Sequence, residues 1–181
     1  AEELRSRTSD GSTGNYGQAD QRQAMRWVQQ NIAAFGGDKE RVMIFGQSSG
    51  AGSVSTHLVA PQSFGLFSVA GMSSGAFGTW ISSPMNATPP ILASQGAQAT
   101  FDDIVWEANC SSAHQSHAVD ARRRLGAAER RRGGGGEMVL RCLEGLSTDQ
   151  LVTLDTTRNA AFGPLVDGVE LTDTPHSLLR Q

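Results

Sequence analysis

Gly46-Gln47-Ser48-Ser49-Gly50 places a serine between two glycines, two residues to either side. This G-x-S-x-G spacing suits a nucleophilic serine on a sharp strand-to-helix turn, where the backbone of the serine is strained and side chains beside it would not fit. A chain with 21 glycines yields such a pentapeptide by chance about 0.25 times, so the pattern needs a setting. A second match, Gly71-Met72-Ser73-Ser74-Gly75, stands in the same sequence. The first lies between a short apolar run and a segment with helical pattern. The second runs on into Ala76-Phe77-Gly78 without one. Only the first has the strand-turn-helix context.

The elements that must hold this turn are readable around it. Met25, Val28, Ile32 and Phe35 recur on one helical face, so residues 17 to 35 are predicted to form an amphipathic helix stopped by Gly36-Gly37. Arg41-Val42-Met43-Ile44-Phe45 then reads as a buried strand of a parallel sheet. A helix over residues 49 to 59 follows and ends before Pro61. Residues 66 to 72 are a candidate second strand. Strand, helix and strand in this order make the βαβ unit of an α/β fold. Further on, Met138, Val139, Cys142 and Leu143 mark one side of a helical pattern starting at Glu137, and Ser147 with Gln150 fits a capping box. Residues 78 to 90 read as a long surface loop.

With these residues in view the resemblance becomes specific. Gly14-Asn15-Tyr16-Gly17, Asp20-Gln21-Arg22, the run from Trp27 to Asp38 and Ile44-Phe45-Gly46-Gln47-Ser48-Ser49-Gly50-Ala51 resemble the type-B carboxylesterase and cholinesterase family in order and spacing. Similarity continues through His57-Leu58, Gly65-Leu66-Phe67 and Ser74-Gly75-Ala76-Phe77, and returns at Phe162-Gly163-Pro164-Leu165-Val166-Asp167-Gly168. The resemblance implies an α/β class, a partial α/β-hydrolase fold with a central, mainly parallel sheet and flanking helices, spanning residues 11 to 181. It also implies hydrolysis of a small carboxylic ester through an acyl-enzyme, with no cofactor and no metal. Ser48 would be the nucleophile, Gly46 and Gly50 the motif glycines, and the backbone N–H of Ser49 a donor to the developing oxyanion. Gln47 stands where the family usually has Glu, and Ser49 where it has Ala. The missing negative charge makes a cationic choline ester a poor first choice of substrate.

The same resemblance shows what these residues do not supply. The acid and histidine of the family triad lie beyond the point matching Gly168, and its Gly-rich oxyanion loop lies before Gly14. The expectation is therefore a middle slice of a larger domain, truncated at both ends and inactive alone. Asp167, His176, His114 and His117 are internal alternatives in principle, but Asp167 falls in a Val-Asp-Gly turn that the family does not use as its acid. His57, on the helix after the turn, is expected to be a packing or surface residue. The family has a disulfide loop in the region of Cys110 and Cys142, which implies a bridge between them; two buried free thiols are the alternative.

Composition bounds the remainder. The chain of 181 residues has net charge −3, and no apolar run reaches the ~18–20 residues that span a bilayer. Its polar start, AEELRSRTSD, is no signal peptide, although the resemblance and the sequons Asn86-Ala87-Thr88 and Asn109-Cys110-Ser111 point to an extracellular or secretory location. Of 15 basic residues 14 are Arg, six of them between Arg122 and Arg132, followed by four glycines. Residues 111 to 136 cannot bury enough apolar surface to offset ordering, so they read as a disordered insertion, or as translated non-coding sequence in a mis-joined gene model. No aromatic residue is interleaved with those arginines, so a nucleic-acid surface is set aside. A non-catalytic adhesion or scaffold protein on the same fold is the competing functional class, and retention of Ser48 counts against it.

Overall fold

A computed structural model describes residues 1–75, 83–84, 96–111, 134–158 and 163–180, and the chain divides into two compact units, each taken by itself below. The unit that holds the G-x-S-x-G turn comprises Thr8–Met85 and Phe162–Gln181. Its first helix, α1 (Tyr16–Asn31), continues as a 3-10 turn over Ile32–Phe35 and closes at Gly36 with φ 80, the left-handed conformation a glycine adopts freely. Strand β1 (Met43–Gln47), helix α2 (Ser49–Val59) and strand β2 (Val69–Ser73) follow. The strands pair in parallel, Met43 opposite Val69 and Gln47 opposite Ser73. This is the expected βαβ unit, each strand beginning two or three residues later than the sequence pattern suggests. A second parallel pair joins β3 (Ser83–Pro84) to β4 (Leu165–Val166), and the short helix α6 (Pro175–Leu178) ends the unit.

Burial departs from expectation on one side of this sheet. Ala51 and Val54 of α2 are buried, while Met43, Phe45 and Val69 are 56%, 80% and 53% exposed. The alternation along β1 means that α2 covers one face only, so the predicted two-sided burial of the strand is corrected. Phe35, expected on the packed face of the helix, is exposed as well and rests against Trp27 with ring centroids 5.9 Å apart. Among the described residues Val59, Ala60 and Leu171 form an apolar cluster, with Leu178 against them.

The other unit comprises Ala1–Arg7 and Asn86–Ala161. It contains a 3-10 segment (Glu2–Arg7) and helices α3 (Ala97–Glu107), α4 (Gly134–Glu144) and α5 (Thr148–Arg158). The predicted capping box is present: Gln150 Oε1 accepts from Ser147 N–H at 2.8 Å and Ser147 Oγ accepts from Gln150 N–H at 3.3 Å. Helix α4 begins at Gly134 rather than Glu137, with Gly136 set against Glu3, so the last three glycines of the expected insertion are helical. Leu140 is its buried residue, and Met138, expected inward, is 46% exposed. Residues 112–133 of the insertion, with His114 and His117, and the loop over 78–90 apart from β3, with Asn86, lie outside the described residues. Among the described residues no helix is long and apolar enough to cross a membrane.

Candidate active site

Ser48 sits between the end of β1 and the first residue of α2 with φ 54 and ψ −118, a backbone conformation that L-residues adopt at a cost. Two backbone hydrogen bonds fix it there. Its N–H donates to Ser73 O at the end of β2 (2.9 Å), and its carbonyl accepts from Gly52 N–H in α2 (3.2 Å). Gly46 is required by contact: a Cβ there would lie 2.3 Å from the backbone of Gly50. Gly50 has open space at its own Cβ position and ordinary φ, so it serves by letting its backbone come close to Gly46. Ser49 opens α2, and its N–H at that first position has no acceptor within the helix. Ser48 is half-buried and Gln47 exposed. The second G-x-S-x-G differs in kind, because Ser73 is a strand residue whose carbonyl supports the first turn.

Neither described candidate partner faces Ser48 in a catalytic role. His57 is buried on α2, its Nδ1 2.9 Å from Ser63 Oγ and its Nε2 3.0 Å from Gln21 Oε1. Gln21 Oε1 can only accept, so Nε2 carries the proton and Nδ1 accepts from the Ser63 hydroxyl. Burial, and secondarily the Arg22 charge, lower its pKa to about 4. It is a packing histidine, as expected. Asp167 is also buried and fully engaged by the backbone: Oδ1 accepts from Val169, Glu170 and Leu171 N–H (2.8–3.2 Å) and Oδ2 from Thr13 N–H (3.1 Å). Its carboxylate holds the turn at Gly168, where φ is 82. His176 lies on α6.

Two contacts had no role in the sequence reading. Asn15, at φ 55, pairs through its side-chain amide with both backbone groups of Leu165, at 2.8 Å each. The segments 14–17 and 163–168 are thus joined as a strand partner would join them. Arg22 makes a buried two-pronged ion pair with Glu170, Nη1 to Oε2 at 2.7 Å and Nη2 to Oε1. A signal existed, since Arg22 falls three residues before Met25 on the buried stripe of α1, where a cation requires a buried anion. In the other unit Cys110 and Cys142 form the expected disulfide.

A serine at positive φ on the turn between strand and helix of a parallel βαβ unit belongs to an α/β fold, and the comparisons narrow it. The model of the carboxylesterase family matches residues 5–181, and the chain belongs to that family. It is 35% identical over 167 residues to a cholinesterase of Mus musculus and 37% over 168 residues to a cocaine esterase of Homo sapiens, 92% and 93% of this chain. It is 61% identical over 62 residues, 34% of the chain, to an acylcarnitine hydrolase of Mus musculus. These matches span 24%, 24% and 11% of the relatives' own lengths. Among solved structures, the Geobacillus stearothermophilus carboxylesterase at pH 6.8 matches with TM-score 0.63 and 31% identity over 91% of this chain and 28% of that one; at pH 6.2 the TM-score is 0.57. The fold is a partial α/β-hydrolase fold.

Proposed function

We propose that this chain supplies the nucleophile segment of a serine carboxylesterase that acts on small carboxylic esters. Ser48 Oγ attacks the ester carbonyl, the alcohol leaves, and water later hydrolyses the acyl-enzyme. The N–H of Ser49 stabilises the oxyanion in both steps. The observation that carries the reading is the positive φ of Ser48 on a turn whose first glycine cannot be replaced without collision. Strain of this kind is retained where it positions a reacting group. His57 and Asp167 are committed to other partners, which removes them as base and acid, and since the family's acid and histidine are expected beyond the segment matching Gly168 we take the 181-residue chain by itself to be inactive. Residues 11 to 181 act as one part of the larger catalytic domain, in an extracellular or secretory setting.

The test uses a p-nitrophenyl ester with the 181-residue chain and with the longest product of its gene. Turnover is expected only in the latter and is abolished by Ser48→Ala. Turnover by the short chain that Ser48→Ala removes overturns the inactivity, and a full product that resists a fluorophosphonate probe replaces the enzyme by a non-catalytic scaffold.

A further inference from the structure

We infer that Asn109 is an N-glycosylation site. Helix α3 ends in a complete two-bond cap: Cys110 N–H donates to Val105 O (2.9 Å) and Asn109 N–H to Trp106 O (3.1 Å), with Asn109 at φ 56. That geometry asks for glycine or asparagine at position 109. It explains the backbone and leaves the carboxamide unused, since Asn109 is exposed and its side chain has no hydrogen-bond partner among the described residues.

The residue two positions on is not explained by packing. Ser111 Oγ is buried and has no hydrogen-bond partner among the described residues. A hydroxyl placed so costs stability, whereas alanine there would cost nothing. As the third residue of Asn109-Cys110-Ser111, the hydroxyl has a use before folding, because glycosyl transfer requires Ser or Thr at that place. The middle residue adds a condition of its own. Cys110 is bonded to Cys142, which puts the mature segment in an oxidising compartment of the kind where such transfer occurs. Cys142 comes 32 residues later, so the acceptor is presented to the transferase before the bridge can close.

In the transfer, Asn109 Nδ2 loses a proton and forms a bond to C1 of the terminal N-acetylglucosamine of a lipid-diphosphate-linked oligosaccharide. The C1–O bond to the diphosphate breaks, and the lipid diphosphate leaves with the electron pair. No oxidant or metal redox change is involved.

The 181-residue chain, fused behind a cleavable secretion leader, is translated in the presence of microsomes, where the readout does not depend on folding. Wild type and Asn86→Gln are expected to carry a glycan on the peptide containing residue 109, released by peptide N-glycosidase in ¹⁸O water with conversion of Asn109 to labelled Asp. Asn109→Gln and Ser111→Ala each lose it, and Ser111→Thr keeps it. Lumenal chains that contain the Cys110–Cys142 bridge but leave Asn109 unlabelled overturn the proposal. So does a glycan that survives Asn109→Gln in the Asn86→Gln background.

Discussion

At the scale of single residues the two motif glycines separate. A methyl group at position 46 would stand 2.3 Å from the Gly50 backbone, so Gly46→Ala forces β1 and α2 apart and is expected to lower stability by about 2–3 kcal/mol in urea denaturation. Gly50→Ala meets nothing and sits in the first turn of α2, so it is expected to be neutral or to add up to about 1 kcal/mol. Equal losses for the two would contradict the contact geometry. His57 gives a pH dependence whose sign follows from its environment. The folded state holds it neutral down to about pH 4, while the unfolded chain takes up a proton near 6.5. Stability from this group is therefore complete above about pH 6.5 and drains away as pH falls toward 4, on the order of 1–2 kcal/mol by pH 5. A urea series from pH 7 to 4 on wild type and His57→Gln is expected to show the slope only in wild type. Arg22→Met leaves Glu170 buried without its cation and is expected to cost about 3–5 kcal/mol, much of it regained in Arg22→Met/Glu170→Leu. If thermal melts show the double variant no more stable than the single one, the pair is not the source of the cost.

Elements were legible in the sequence where their causes are local. Helix α2 has the predicted limits because the Ser48 turn starts it and Pro61 follows it, and Gly36 takes the left-handed conformation that closes the helix before it. The capping box at Ser147 and Gln150 also needs only neighbours, and Ser147→Ala is expected to loosen the first turn of α5 by about 1 kcal/mol, seen as faster amide exchange there. The faces of β1 and α4 were not legible, since which side is buried depends on what lies across from it. Met43, Phe45 and Met138 are apolar in pattern and exposed in fact. The Arg22–Glu170 pair joins residues 148 apart, so Arg22 on the buried stripe of α1 signals that an anion is needed while nothing local says which one. The disulfide was reached through family likeness rather than spacing, and it ties α4 to the end of α3 across 32 residues. Closing a loop of that length removes unfolded-state entropy worth about 3–4 kcal/mol, so Cys110→Ser/Cys142→Ser is expected to unfold this unit first while α2 keeps its amide protection.

For the molecule as a whole, the sheet that presents Ser48 is covered on one face among the described residues. Parallel sheets are ordinarily covered on both faces. Here α2 occupies one, and on the other Met43, Phe45 and Val69 stand open among the described residues, with Phe45 directly opposite Gly71 on the neighbouring strand. Contiguous apolar side chains of this size in water drive association, each worth about 1.5–3 kcal/mol when fully buried. The 181-residue chain is therefore expected to self-associate in a concentration series by sedimentation velocity. Met43→Lys/Phe45→Lys should weaken that association by roughly tenfold or more, because the two changes remove at least about 1.4 kcal/mol of apolar burial. The same substitutions leave the backbone bonds of β1 and the Ser48 turn untouched, so circular dichroism should be unchanged. Association that persists undiminished in the double lysine variant would move the sticky surface elsewhere, to Trp27 and Phe35 at the end of α1, and would detach it from the sheet that holds Ser48.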